Sequence, residues 1–430
     1  MSMFSNSKTL NFINIQEKKI IEDIARKYTE KLKDNYQRGF GVFPSSGPKE
    51  VFYEQLWSRD FAQAAASYFS AENPQATKDS LETIFSHQRA DGMLPLRVEK
   101  NYMILKLIPG LRGLSKPVFN IIEAKLKGRD ERPVYEGQDF SSAEDTIPVA
   151  MLAVGHFALV SSEGKYFVKE NIDKIKRAID FFETKVDPED GLAVLKNKNA
   201  DWEDSIVRGG KLGSINIWWA KSLEIMGLIS KELEKGEESA LFFKKFHRTR
   251  ESVIKKLYNK NGAYFRSAEG EDRVDTTASI FGSLYFLDAE ECVRVQETLE
   301  KRTANPTGLK NFDPPYPRKQ LMWPHKFIKL EGYHNHYIWP WLTCQNIGVK
   351  IKIALNHKQP IIKERYKKEA ICDLSDMAKL FHDADGAYEI FQPDTRKPAI
   401  KTFYKPPKYF MANLTAYLYA YNKLKDLGWI

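Results

Sequence analysis

The chain has 430 residues, and its 66 Lys and Arg against 57 Asp and Glu give a formal net charge of +9 at pH 7. Hydrophobic residues make up 42% and charged residues 29% of the chain, a composition typical of a soluble globular protein that excludes a disordered or fibrous one. Because no segment approaches the roughly 20 apolar residues of a membrane helix, and the basic residues are interspersed with acidic ones, we expect neither a membrane nor a nucleic-acid partner.

Helical periodicity is the dominant pattern along the chain. Asn73, followed by Pro74, is placed to cap a helix. Strand alternation is limited to 262–265 and 386–391, each of which suits a short hairpin strand. Apolar residues recur at helical spacing in twelve segments: 15–35, 57–70, 76–89, 144–161, 166–185, 213–235, 238–259, 274–287, 288–303, 334–355, 360–382 and 407–425.

The helices follow one another without a Pro- or Ser-rich linker, which favours a single all-α domain over 1–430. Six helical hairpins of about 70 residues each would account for the length, so an (α/α)6 toroid with short β-hairpins in its loops fits; a helical-repeat solenoid is the alternative. We interpret 1–45 as an N-terminal helical extension.

Residues 99–140 are basic, partly apolar and interrupted by Gly and Pro. We interpret them as a candidate lid insertion over a pocket, and expect their deletion to change substrate choice more than stability. A surface excursion with its own small core is the alternative, and a membrane-surface segment is a third interpretation.

The three cysteines, Cys292, Cys344 and Cys372, are widely spaced and form no CxxC pair. This pattern fits reduced thiols better than a disulfide framework. The first residues lack the apolar core and cleavage site of a signal peptide. We therefore expect a cytoplasmic protein, for which a homo-oligomer is an open option.

Four segments mix polar and aromatic residues more densely than a helical core requires. The first, 56–69, contains Trp57, Arg59 and Asp60 at the start of a helix. Asp60 either caps that helix or, with its two neighbours, binds the hydroxyls and ring face of a sugar.

The second segment, 199–224, places Asp201, Glu203 and Asp204 around Trp202, ahead of Arg208 and a Gly-rich turn. A solvated acidic loop is one interpretation. The other is a carboxylic acid whose pKa is raised by burial and by neighbouring carboxylates, as a general acid near neutral pH requires.

The third segment, 322–344, contains His325, Glu331, His334 and His336. Their spacing differs from the helical HExxH arrangement, and no cysteine pair supports a structural zinc, so we predict no metal site. The tryptophans that follow and the His-Asn-His run at 334–336 suit carbohydrate better, because aromatic faces pack on sugar rings while imidazole and amide groups bond hydroxyls.

The fourth segment, 386–407, places Glu389 between Tyr388 and Phe391. Glu389 either pairs with a nearby lysine or serves as a general base among aromatic residues. An acid and a base of this kind are the minimum for glycoside hydrolysis.

Taken in order, these segments resemble the (α/α)6-barrel glycoside hydrolases. They are most similar to the alkaline/neutral invertase family, and more distantly to the trehalase, mannosylglycerate hydrolase and glycogen-debranching glucosidase families. The resemblance spans roughly 50–425. It is carried by the Trp-x-Arg-Asp-Phe element at 57–61, an Asp followed by Arg and Gly at 204–210, a Tyr-His-Asn element at 333–340, and Glu389 with its downstream tyrosine.

Three departures from the invertase pattern put sucrose specificity in doubt. The family's paired arginines after the general acid are replaced by Ser205 and Ile206. Its two glycines after Asn335 are replaced by His336 and Tyr337. The final helix also lacks the family's Trp-Ser pair.

The resemblance implies an inverting hydrolase of an α-linked glucoside, sucrose-, trehalose- or α-glucan-like, with Asp204 as general acid and Glu389 as general base. It implies a carbohydrate substrate and no cofactor. The residues that we assign to substrate binding are Trp57, Arg59, Asp60, Asp145, Trp202, Arg208, His334, Asn335, Trp339, Tyr388 and Tyr404.

Three other functions are open on the sequence. A sugar isomerase or epimerase on a helical toroid would use His334 and His336 as acid and base. A non-catalytic helical scaffold would use the aromatic residues as core. A nucleic-acid binder would have to concentrate its charge on one face. Seven of the eight tryptophans fall within the four segments, and we therefore expect them to form a sugar-binding pocket.

Overall fold

The computed structural model describes residues 13–45, 55–99, 131–137, 143–196 and 201–430. Each of the twelve predicted helical segments overlaps one helix in this part of the chain. The helices are α1 (Ile15–Asp34), α2 (Ser58–Ala64, continued by a π-helical turn, Ala65–Phe69, and a last turn, Ser70–Glu72), α3 (Pro74–Ser86), α4 (Thr146–Val160), α5 (Ser162–Glu183), α6 (Gly213–Glu232), α7 (Gly236–Ser252, continued by a π-helical turn, Val253–Leu257), α8 (Thr276–Tyr285), α9 (Ala289–Arg302), α10 (Pro340–Asn356), α11 (Pro360–Asp383) and α12 (Met411–Asp426).

The helices alternate between two concentric rings. Each of α2, α4, α6, α8 and α10 packs against the next even-numbered helix, and α12 packs back against α2, which closes an inner ring of six. The odd-numbered helices pack outside, α1 against α11 and α12, for example. The chain is therefore an (α/α)6 toroid, as predicted, and 15–34 form one of its outer helices.

The two rings differ in their sequences because they differ in burial. The outer helix α5 is amphipathic, whereas α6 and α10 are buried on nearly every face. On α6, Trp219 packs on Phe182 of α5 with ring centroids 4.7 Å apart, and Trp218 packs on Phe281 of α8 at 5.7 Å. The prediction that these two tryptophans belong to a sugar-binding pocket is therefore wrong, because they fill the space between helices.

Short antiparallel strands occupy the loops. β3 (Gln55–Trp57), β4 (Arg97–Glu99) and β5 (Arg132–Val134) form one sheet in the order β3-β4-β5. The remaining strands form two-stranded pairs: β1 (Tyr36–Gln37) with β2 (Gly41–Val42), β6 (Tyr258–Asn259) with β7 (Tyr264–Phe265), β8 (Val274–Asp275) with β11 (Phe312–Asp313), and β9 (Ala304–Asn305) with β10 (Gly308–Leu309).

Of the two predicted hairpin strands, 262–265 is confirmed in β7 and 386–391 is wrong. In the latter segment the N–H of Glu389 donates to Pro407 and that of Phe391 to Ile338, so successive backbone groups pair with different partners instead of forming a ladder. Residues 100–130 and 138–142 lie outside the described residues, and the lid interpretation of 99–140 stays a prediction.

Two inner helices begin four or more residues later than predicted, and the outer helix α5 begins at Ser162, four residues before the predicted 166. The segment predicted as 334–355 becomes helical at Pro340, and that predicted as 407–425 at Met411. Pro340 explains the start of α10, because proline suits the first turn of a helix but disfavours helical backbone in the residue before it. The residues that were predicted as helical but precede these helices, 334–339 and 407–410, lie in loops at the helix N-termini.

The three cysteines are free; Cys292 and Cys344 are buried. Among the helices that the structure describes, none is long and apolar enough to cross a bilayer. The cytoplasmic location stays a prediction.

Candidate active site

The candidate site lies at the N-terminal ends of the inner helices. Arg59 is in the first turn of α2, and Asp145 and Asp275 are the residues immediately before α4 and α8. The loop 201–212 leads into α6, Trp339 precedes α10, and Asn413 is in the first turn of α12. One face of the toroid, here called the mouth, thus gathers residues that are distant in the sequence.

Arg59 links three parts of the mouth. Its Nη2 lies 3.3 Å from Oδ2 of Asp204, its Nη1 lies 3.6 Å from Oδ2 of Asp145, and Nη1 also donates to the carbonyl oxygen of Asp201. All four side chains are buried. A single guanidinium therefore faces two carboxyl groups in a site with little water.

Burial raises the pKa of Asp204 to about 6, although the nearby Arg59 opposes the shift. Burial raises the pKa of Asp145 to about 8, again against Arg59. Neither carboxylate oxygen of Asp145 has a hydrogen-bond partner within the described residues. Asp60 caps no helix, and burial raises its pKa to about 6. Burial in the mouth therefore raises the fraction of these carboxyl groups that is protonated near neutral pH.

Arg208 lies in a second, deeper cluster of charges. Its guanidinium donates to Asp201 at 2.5 Å, to Glu203, and to the Ser267 hydroxyl at 2.5 Å, and lies 3.4 Å from Asp275. These contacts attach the loop that carries Asp204 to the start of α8.

His334 lies between the loop of Asp204 and the aromatic wall of the mouth. The N–H of Ser205 donates to its Nδ1 at 3.3 Å, and this Nδ1 lies 3.9 Å from Oδ1 of Asp204. Burial, together with the charges of Arg59 and Arg208, lowers the pKa of His334 well below its ordinary value. The imidazole is therefore neutral at physiological pH.

Glu389 is held by two tyrosine hydroxyls. The Tyr333 hydroxyl donates to Oε1 at 2.9 Å and the Tyr404 hydroxyl donates to Oε2. The side-chain amide of Asn413 donates to the backbone carbonyl oxygen of Tyr388 at 2.7 Å. These contacts fix the carboxylate on the side of the mouth formed by α12 and its preceding loop.

Aromatic rings join the two carboxyl groups across the mouth. Trp202 contacts His334, Trp339 and Trp341 edge-on, with centroids 5.1, 5.5 and 5.1 Å apart. The His334 ring stacks on Trp339 at 4.8 Å and meets Tyr333 at 4.5 Å. The contacts from Asp204 through His334 and Tyr333 to Glu389 therefore form one continuous wall.

Most of the residues assigned to substrate binding lie in or beside this wall. They differ in whether their polar groups already have a hydrogen-bond partner in the protein. The indole N–H groups of Trp57 and Trp202 are buried without a hydrogen-bond partner among the described residues. Arg97 covers the Trp57 ring at 4.9 Å. The Asn335 side chain is engaged with the Tyr316 backbone, accepting at 2.7 Å and donating at 2.9 Å, and Arg208 is engaged as described above.

Sequence reasoning assigned no role to Tyr333, Asp275 or Asn413. Tyr333 belonged to the motif at 333–340, so its neighbours gave a usable signal. Asp275, whose pKa burial raises to about 6, and Asn413 gave none, because each is an isolated polar residue at a helix start. In the described part of the chain, no three His, Cys, Asp or Glu side chains are grouped to hold a metal ion.

Comparison with known proteins gives matches in structure alone. No protein-family model matches the chain, and no curated protein matches it in sequence. Among solved structures, a rhamnosidase from Klebsiella oxytoca with rhamnose bound superposes with a TM-score of 0.64 and 13% identity over 95% of this chain. The chain spans 64% of that rhamnosidase.

Two further solved structures match this chain over nearly their full length. A GH63 mannosylglycerate hydrolase from Thermus thermophilus, in complex with Tris and D-glycerate, has a TM-score of 0.61 and 13% identity over 93% of this chain and 100% of its own. A wild-type glycosidase has a TM-score of 0.62 and 12% identity over 97% and 100%. Their likeness agrees with the (α/α)6 toroid read from the helix packing.

Proposed function

We propose that the protein is an inverting glycoside hydrolase acting on an α-linked glucoside. The observation that carries the proposal is the wall that connects Asp204 to Glu389 through His334 and Tyr333. It brings together two carboxyl groups 185 positions apart in the sequence, in surroundings that suit opposite roles. No metal ion or organic cofactor enters the proposed reaction.

Asp204 is the proposed general acid. Because burial raises its pKa to about 6, its protonated form is populated near neutral pH and can deliver a proton to the glycosidic oxygen. Arg59 at 3.3 Å stabilises the carboxylate that forms as the proton leaves.

Glu389 is the proposed general base. The Tyr333 and Tyr404 hydroxyls hold both of its oxygens and stabilise its ionised form. In an inverting hydrolase this carboxylate takes a proton from a water that attacks the opposite face of the sugar ring.

The aromatic wall and the named structural neighbours support a carbohydrate substrate. Indole and imidazole edges and faces suit the mixed apolar and hydroxylated surface of a sugar. Solved structures that share the toroid are named as glycosidases, among them a rhamnosidase and a mannosylglycerate hydrolase. The resemblance to invertases favours a glucoside, either α-glucosidase- or invertase-like or amylo-α-1,6-glucosidase-like.

The testing experiment is incubation with sucrose, trehalose, maltose, isomaltose and mannosylglycerate while NMR follows the anomer first released. Inversion predicts that an α-linked glucoside releases β-glucose first. Initial release of α-glucose would contradict the inverting mechanism, and no release from any glycoside would contradict the hydrolase.

Two variants test the assigned residues. Asp204→Asn and Glu389→Gln are each expected to lower kcat by at least about 100-fold, since each removes a positioned proton-transfer group. Asp385→Asn, at an exposed carboxylate paired with Lys27 and Lys408, is the matched control and should keep full activity. Circular dichroism should show an unchanged fold in all three.

A sugar isomerase or epimerase is the second candidate because His334 lies 3.9 Å from Asp204. That reaction would convert a free reducing sugar into an isomer without cleaving any disaccharide. The neutral state of His334 and its bond from the Ser205 N–H favour a fixed wall residue over a proton carrier. Interconversion of free glucose or mannose by the protein would favour the isomerase.

A further inference from the structure

Two short segments beside the mouth contain several basic residues and no acid. Residues 318–329 contain Arg318, Lys319, Lys326 and Lys329 and no acid, and residues 396–405 contain four further basic residues and no acid. Together the two segments carry eight basic residues, a formal charge of +8, within 22 residues. Acid-free basic stretches also occur at 239–250 and 350–363, so what distinguishes these two segments is their position beside the mouth.

The first segment borders the loop of the general acid. The N–H of Val207 donates to Gln320 at 2.6 Å and that of Met322 donates to Ser205 at 2.9 Å. The short helix Trp323–Phe327 follows, and its His325 packs on Tyr333 with ring centroids 5.3 Å apart. Residues 318–329 are therefore attached to both sides of the wall.

The second segment borders the general base. Its Tyr404 donates to Glu389, and its Lys401 lies 5.5 Å from the centroid of the Tyr337 ring. Burial lowers the pKa of His336, the charges of Lys401 and Lys310 lower it further, and Asp394 opposes the shift. We call the two segments 318–329 and 396–405 together the rim.

The rim also carries exposed aromatic rings. Trp323, Phe327 and Phe403 are 71%, 76% and 69% exposed and are the three most exposed of the Trp, Tyr and Phe side chains in the described chain. Lys319, Lys326 and Lys405 lie within four residues of these rings along the chain. Exposed rings accompanied by cations suit sugar units that bear anionic groups.

We propose that the rim binds the outer part of an anionic saccharide, so that the substrate is an α-glucoside extended by units carrying carboxylate or sulfate. This inference rests on the proposed function, which places the scissile bond at Asp204 and Glu389 and so directs the rest of the saccharide towards the rim. Single-stranded nucleic acid also combines rings with negative charge. The attachment of the rim to the loops of Asp204 and Glu389 favours the saccharide, because these two residues are the proposed acid and base of glycoside hydrolysis.

The experiment measures binding to the full-length Glu389→Gln variant, so that turnover does not interfere. The probes are maltotetraose, maltotetraose oxidised to the aldonic acid at its reducing end, its sulfated counterpart, and a single-stranded oligonucleotide of eight nucleotides. Isothermal titration gives Kd, and quenching of Trp323 fluorescence, judged against Trp323→Phe, reports contact at the rim. We expect the two charged saccharides to bind at least about fivefold more tightly than maltotetraose, and this advantage to shrink with salt.

A triple variant, Lys319→Gln, Lys326→Gln and Lys405→Gln, should remove the advantage of the charged saccharides and leave Kd for maltotetraose unchanged. The matched control is Lys169→Gln, Lys231→Gln and Lys244→Gln, at exposed lysines of α5, α6 and α7, which should change neither. Equal binding of charged and neutral saccharides, or tighter binding of the oligonucleotide, would overturn the proposal. Because these are binding measurements, an inactive wild-type enzyme would contradict the proposed function and leave this test of the rim intact.

Discussion

At the scale of single residues, the protonation of Asp204 depends on one guanidinium. Arg59 lies within 3.6 Å of both Asp204 and Asp145, so it cannot neutralise both fully. Burial dominates the pKa of both carboxyl groups and raises it. The pH dependence of activity should therefore report the balance between burial and Arg59.

The first prediction is that kcat/KM falls as the pH rises above about 6, because the general acid must be protonated and burial raises the pKa of Asp204 to about 6. Arg59→Gln removes the charge that lowers this pKa, so the alkaline limb should move to higher pH by about one unit or more. The quantity to compare is the pH at which kcat/KM falls to half of its maximum, because Arg59→Gln also affects substrate binding and so changes the maximum itself. A limb that moves to lower pH would contradict this assignment.

A second prediction concerns Arg208, which lies among three carboxylates. Arg208→Met leaves these buried charges without a counter-ion and should reduce the free energy of unfolding by about 3–5 kcal/mol at pH 7. Arg89→Met is the control, because its partner Asp91 is 43% exposed, and it should cost under about 1 kcal/mol. Urea unfolding of both variants measures the difference. Equal losses of unfolding free energy in the two variants would show that the contacts of Arg208 stabilise the chain no more than a surface ion pair does.

Part of the mouth could be predicted from polar residues that stand among aromatic residues in the sequence. Acids among aromatic residues indicated the two segments, and the resemblance to the invertase family then selected Asp204 and Glu389, which the structure places on one wall. The contacts of Arg208 could not be predicted, because two of its partners, Ser267 and Asp275, come from a different element. A sequence shows that a residue is charged, but not whether its charge is already neutralised.

At the scale of elements, the twelve helices could be predicted because buried faces impose a 3.6-residue period. The start of α10 could not be located so well, since 334–339 have the same apolar content in a loop. Asn73 was predicted as a cap, and its side chain does accept the N–H of Ala76. Caps and prolines thus locate helix ends better than hydrophobicity does.

A third prediction tests the close approach at the start of α6. A Cβ on Gly213 would lie 2.2 Å from the carbonyl oxygen of Arg266, whereas one on Gly236, the first residue of α7, would meet nothing within 4 Å. Gly213→Ala should therefore destabilise the chain by about 1–3 kcal/mol. Gly236→Ala should be neutral or slightly stabilising, because alanine favours helix. Urea unfolding of the pair gives the result; similar values for both variants would contradict the packing.

At the scale of the whole molecule, the closed ring could be suggested only by arithmetic, since no sequence repeat marks the six hairpins. Closure depends on α12 packing against α2, helices about 350 positions apart. The same closure brings six helix starts together and buries several acids with few cations. The stability of the molecule is therefore linked to the protonation of its mouth.

The final prediction follows from this link. Burial raises the pKa of Asp145 to about 8 in the folded chain, against about 3.9 when unfolded. Between these values the folded chain keeps a proton that the unfolded chain has lost, so its free energy of unfolding falls as the pH rises. Asp145→Asn lacks this titration and should gain stability relative to wild type between pH 5 and pH 8.5, by up to about 4 kcal/mol.

Asp385→Asn is the control for this measurement, because its titration has the opposite sign. Hydrogen bonds from Lys408 and Lys27 lower the pKa of Asp385 to about 2, so its contribution to stability is complete above its ordinary pKa and is lost as the pH falls towards 2. Its difference from wild type should thus be constant between pH 5 and pH 8.5 in urea unfolding. If Asp145→Asn also showed a constant difference, Asp145 would be ionised throughout, and the mouth would have to neutralise both carboxylates around Arg59.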